Sequence, residues 1–184
     1  WVLGNFRERS LLKEAISLIA ILVFCQMIGL LFLSRANKYA VKIMKMKQLL
    51  KFHKIIGYTC VSIMLLHPVF IVVPRFFESG VAPVDAFITI ITTFNQGVVL
   101  GIIAWCLMLI LGITAFARNK LPMEYKTWRV FHGIVAILFI SVAAWHVIDL
   151  GRHSSLAMSI FITLLATSGV LLSGKQYLLK IFKK

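Results

Sequence analysis

The fold class predicted from this sequence is an all-α membrane bundle, and three observations predict it. Of 184 residues, 60% are hydrophobic and only 14% are charged, where a soluble domain has roughly 45–50% and a quarter. The apolar residues gather into runs of about 20, the number a helix needs to cross a hydrocarbon core of ~30 Å. Basic residues crowd onto alternate connections between those runs. A mean hydropathy of +0.94 fits the same class. This balance argues against a soluble globule, a disordered tail and a nucleic-acid-binding domain, despite a net charge of +14.

The whole chain, 1–184, is predicted to be one transmembrane domain with five spans. The first is Leu11–Leu33, closed by the basic stretch that begins at Arg35. The second, Leu49–Val73, follows that stretch. The next apolar run, Phe87–Ala117, is longer than one straight span needs, and Asn95-Gln96-Gly97 interrupts it. It therefore divides into a short interfacial helix, Pro83–Phe94, and a third span, Val98–Ala117. The fourth is Trp128–Leu150. The fifth is Leu156–Leu172, opened by Ser154 and Ser155, which are good N-cap residues. Cys25, Cys60 and Cys106 fall singly in separate runs with no CxxC pair, so they read as small buried apolar residues.

Fifteen of the twenty Lys and Arg residues lie in the connection after the first span, in the connection after the third, or beyond the fifth. The other ends carry Arg7, Arg9, Lys13, Arg75 and Arg152. By the positive-inside rule the basic ends and the C-terminus are cytoplasmic, and the chain is a multi-pass protein of the cell membrane. The basic excess is then topology, with some contact to anionic lipid. This topology puts Trp1 on the outer side, so the expectation is that either an upstream segment was removed or a further helix precedes the chain.

Ionisable side chains inside spans are expensive and usually functional. His53 and His67 are 14 residues apart in the second span, and His132 and His146 are 14 apart in the fourth. In a straight helix, 14 residues rise about 21 Å and return to nearly the same face. The two spans run in the same direction. His53 and His132 therefore share one depth, near the cytoplasmic side, and His67 and His146 share another, near the outer side. Paired imidazoles from facing helices suit a low-spin haem iron, and four of them suit two stacked b-type haems. A metal or proton pathway would want intramembrane carboxylates, yet Glu8, Glu14, Glu78, Asp85, Glu124 and Asp149 all lie at span ends or in connections.

Several neighbours are candidates to line the haems. Gly57, one turn from His53, and Gly133, beside His132, would let a flat macrocycle approach the backbone; small-residue helix packing explains them as well. Phe139 lies seven residues from both His132 and His146, so it either fills the gap between the haems or faces lipid. Arg129, three residues before His132, either meets a propionate or anchors the cytoplasmic end. Arg75, Arg152 and His153 are the corresponding candidates on the outer side. His153 is not expected to be axial.

The stretches FHKIIGYTCVSIMLLHP (Phe52–Pro68) and YKTWRVFHGIVAILFISVAAWHVIDLG (Tyr125–Gly151) resemble the ferric reductase-like transmembrane domain of NADPH oxidases, ferric reductases and bacterial membrane flavocytochromes. The resemblance implies a six-helix core in the full protein, inner-haem ligands at His53 and His132, and outer-haem ligands at His67 and His146. It implies electron transfer from a cytoplasmic reduced flavin to dioxygen, giving superoxide, or to a ferric chelate. FAD and NAD(P)H would sit on a fused flavin domain or a separate flavin dehydrogenase, since no Gly-rich dinucleotide fingerprint occurs in the chain. A cytochrome b subunit exchanging electrons with quinone or a periplasmic redox protein also uses His pairs 14 apart. A non-redox transporter is the remaining alternative.

Overall fold

The computed structural model describes residues 10–77, 80, 82–151 and 155–181, with side chains as far as Lys175. Among them no strand occurs. Eight α-helices follow in order: α1 Leu11–Phe32, α2 Lys38–Ile43, α3 Met46–Leu65, α4 His67–Val72, α5 Pro83–Thr92, α6 Gln96–Phe116, α7 Tyr125–Leu150 and α8 Leu156–Ile181. Four are long and apolar enough to cross a membrane: α1, α6, α7 and α8. The pair α3 and α4, with the 3₁₀ turn that extends α4 to Phe77, makes a fifth span that is bent by 41°. The protein is a multi-pass helical membrane protein.

The bend corrects the expectation of one straight span over Leu49–Val73. Pro68 lacks the N–H that would reach the Met64 carbonyl, and its ring crowds that carbonyl. The helix therefore ends at Leu65, Leu66 forms a turn whose N–H bonds back to Ile63 O at 3.1 Å, and α4 restarts with Pro68 in its first turn. His67 sits on the far side of this break.

The other boundaries lie near those expected, and the local chemistry shows why. Asn95 caps α6, accepting the Gly97 N–H at 2.9 Å, so the helix begins at Gln96 rather than Val98. Ser155 Oγ accepts the Met158 N–H at 3.3 Å at the start of α8; Ser154 lies outside the described residues. α8 runs on to Ile181, past the expected end at Leu172. α2 was not foreseen. It is a short basic helix capped by Asn37, whose side chain accepts the Ala40 N–H at 3.1 Å. α5 has ten residues and leaves Val84 and Ile88 exposed, as an interfacial helix would.

The spans close a ring in which α1 packs on α3, α3 on α6, α6 on α7, α7 on α8 and α8 back on α1. Inward-facing residues fill its centre: Phe24 and Ile28 of α1, Cys60 of α3, Met108 of α6, Phe139 and Ile140 of α7, and Ile162 of α8. The outer face carries bare Leu22, Ile103, Ile113, Leu138, Phe161 and Leu164. In water this would be a liability, but lipid solvates such a face at no cost.

Candidate functional site

The four predicted histidines come together in two pairs. His53 of α3 and His132 of α7 meet across the interior with ring centres 6.5 Å apart and planes 65° apart. α3 and α7 both pack on α6. His67, at the start of α4, lies within electrostatic reach of His146 on α7. α7 is unbroken from Tyr125 to Leu150, so His132 and His146 stand about 21 Å apart along it. The pairs occupy two levels of the bundle, with His53 and His132 towards the basic end.

Their surroundings differ. His146 Nδ1 is 2.8 Å from Gly97 O, which as a carbonyl can only accept, so the ring donates from Nδ1 and presents Nε2 as a lone pair. The Nδ1 atoms of His53, His67 and His132 are buried without any hydrogen-bond partner. The carbonyls of Leu30 and Leu33 approach the His53 ring without meeting hydrogen-bond geometry at that nitrogen. An unpartnered buried polar atom costs about 1–3 kcal/mol, a cost carried at three of the four predicted ligand positions. Among the described residues no three His, Cys, Asp or Glu side chains converge as a metal site would require.

α6 and α7 approach closely where Gly97 and Gly101 face α7. A Cβ on Gly101 would lie 2.6 Å from His146 Cε1 and 2.9 Å from Nδ1; one on Gly97 would collide with Leu150 and Asp149. These glycines were not singled out from the sequence, although the signal was there: Gly97-Val98-Val99-Leu100-Gly101 is a small-xxx-small motif of the kind that lets membrane helices touch. Also missed was the aromatic environment of His132. Trp128 lies over it with ring centres 5.1 Å apart.

The secondary candidates fare differently. Phe139 is 4% exposed and sits in the core beside Cys60, at mid-depth between the pairs, so it is not lipid-facing. Gly57 faces Leu30 Cδ1 at an ordinary 3.7 Å. Gly133 is half-buried beside His132, and half-buried Arg129 makes no hydrogen bond or ion pair among the described residues. Arg75 lies in the 3₁₀ turn at the end away from the basic connections. Arg152 and His153 lie outside the described residues. Cys60 is fully buried and donates to Gln26 Oε1 at 3.6 Å, while Cys106 is exposed on the lipid face.

An uncharacterised protein of Archaeoglobus fulgidus is 41% identical to this chain over 157 residues, 85% of the chain and 86% of that relative. No solved structure matches the chain. The sequence model of the ferric reductase-like transmembrane component matches residues 19–143, a segment that runs from α1 into α7 and contains His53, His67 and His132. A bundle with two levels of paired imidazoles and a family match across most of its length place the chain in the ferric reductase-like transmembrane family, whose coarse function is oxidoreductase electron transfer across a membrane.

Proposed function

We propose that the protein carries single electrons across the membrane from a cytoplasmic reduced flavin, through two bis-His b haems, to dioxygen or a ferric chelate outside. The observation that carries this reading is the His53–His132 pair. Metal–imidazole bonds are about 2 Å long, so two of them with the ring radii separate ring centres by about 6 Å; the pair stands at 6.5 Å. Two imidazoles are too few to hold a bare ion, whereas a porphyrin supplies four more nitrogens. Gly97 and Gly101, which leave room for the His146 ring against α6, are compatible with the same group.

His53 and His132 would hold the inner haem, and His67 and His146 the outer one. Bound there, each haem would supply a one-electron couple. The chain's own residues do the rest. Gly97 O fixes the His146 tautomer, which keeps Nε2 free as a ligand. Phe139 and Cys60 fill the level between the pairs and keep it dry. The apolar core lowers the local dielectric and so weighs on the potential of whatever is bound. By the positive-inside rule the basic end is cytoplasmic, and its Lys and Arg residues suit an acidic flavoprotein surface or the phosphates of FAD, itself reduced by NAD(P)H.

The test is the haem content of purified wild type and of single His→Ala variants. Wild type should hold close to two low-spin b haems per chain. His67→Ala and His146→Ala should each lose one haem, and His53→Ala and His132→Ala the other. His153→Ala should keep both. A folded wild-type chain from haem-replete cells that carries none would refute the reading.

A further inference from the structure

His132 and His146 are not held in the same way. A metal-ligating histidine ordinarily gives its second nitrogen to a carbonyl or carboxylate, which fixes the plane of the ring. His146 does so through Gly97 O at 2.8 Å, whereas His132 Nδ1 is buried with no partner. A ring free to turn about χ2 would leave the geometry of the inner pair undefined.

What lies against His132 is Trp128, one turn earlier on α7, with ring centres 5.1 Å apart and planes tilted by 31°. Trp128 is itself fixed from three sides. Its Nε1–H donates to Thr114 O at the end of α6, 3.2 Å away. Tyr125 stacks on it at 5.8 Å with planes 28° apart. The Arg118 guanidinium stands 5.3 Å from its ring centre and 5.4 Å from that of Tyr125, a distance at which cation–π attraction operates. Arg118 is tied in turn to Met123 O at 3.4 Å. The connection from α6 to α7 therefore ends in a braced indole that can set the His132 plane as a hydrogen bond sets that of His146.

Resting on the two-haem reading, we propose that Trp128 is the positioning residue of His132, holding its ring by stacking where His146 is held by a hydrogen bond.

The test is electron paramagnetic resonance and a potentiometric titration of the purified haem-loaded protein, with the inner signal assigned as the one absent in His53→Ala. Trp128→Leu removes the ring; Trp128→Phe keeps a ring but loses the bond to Thr114. The leucine variant should retain two haems, with the inner low-spin signal broadened and shifted, the inner midpoint potential displaced, and both outer values unchanged. The phenylalanine variant should fall between it and wild type. If the leucine variant loses the inner haem and the phenylalanine variant keeps it, the proposal also stands. A leucine variant with wild-type inner signal and potential would overturn it. So would equal loss of the inner haem in both variants, because a second ring should then have partly replaced the first. Failure of the underlying reading would be distinguishable at once, as a wild-type spectrum without haem.

Discussion

Gly101 and Gly57 look alike in the sequence, each a helical glycine near a predicted ligand, yet their surroundings are opposite. A methyl group on Gly101 would press into the His146 ring at 2.6 Å, while one on Gly57 would meet only Leu30 Cδ1 at 3.7 Å. Gly101→Ala should therefore destabilise the protein by about 1–3 kcal/mol, the usual cost of overpacking. It should also disturb the spectrum of the pair containing His146. Gly57→Ala should be neutral or stabilising by about 0.5–1 kcal/mol, because alanine loses less backbone entropy in a helix. Thermal melts in detergent with the haem spectrum recorded alongside check both. Equal effects at the two positions would show that the cradle is not specific to His146.

At the level of the helix, Pro68 is the residue with most leverage. It breaks the second span at Leu66 and turns the chain by 41°, which brings His67 towards His146 from a separate helix. In Pro68→Ala the Met64 carbonyl regains a donor and the kink should relax. The expected result is loss of the His67–His146 approach with the His53–His132 pair retained, read as one haem per chain instead of two. Two haems with wild-type spectra in this variant would mean that the bend is imposed by packing rather than by the proline. α7 needs no such device. Its 26 unbroken residues place His132 and His146 by helical rise alone.

At the level of the molecule, the basic residues gather at one end of the spans, while the other end balances five Lys and Arg against five Asp and Glu. In the proposed positive-inside orientation the Lys45 and Glu124 connections would lie in the cytoplasm and Gly80 outside. Single cysteines at these positions in a chain freed of Cys25, Cys60 and Cys106 should label accordingly with a membrane-impermeant thiol reagent. External labelling at Lys45 would invert the molecule and exchange the roles of the two pairs as electron entry and exit.

Much of this architecture was legible in the sequence because lipid imposes a simple rule. Each span must satisfy its own backbone hydrogen bonds, so run length and composition mark the helices. Basic residues mark the connections that stay inside, and equal spacing of four histidines marks two levels. Those signals are local or periodic, and the sequence by itself pointed to the apolar helices, their order and the four histidines that the structure brings into two pairs. The tertiary structure alone decided which neighbours touch them. Phe139 turned out buried rather than lipid-facing: seven residues from both His132 and His146, it lies within about 20° of their face, and the packing of α7 turns that face into the ring. Gly97 O as the partner of His146, and Trp128 as the support of His132, depend on how α6 lies against α7. That contact joins residues 49 positions apart in the first case, and no spacing rule along a single helix reaches so far.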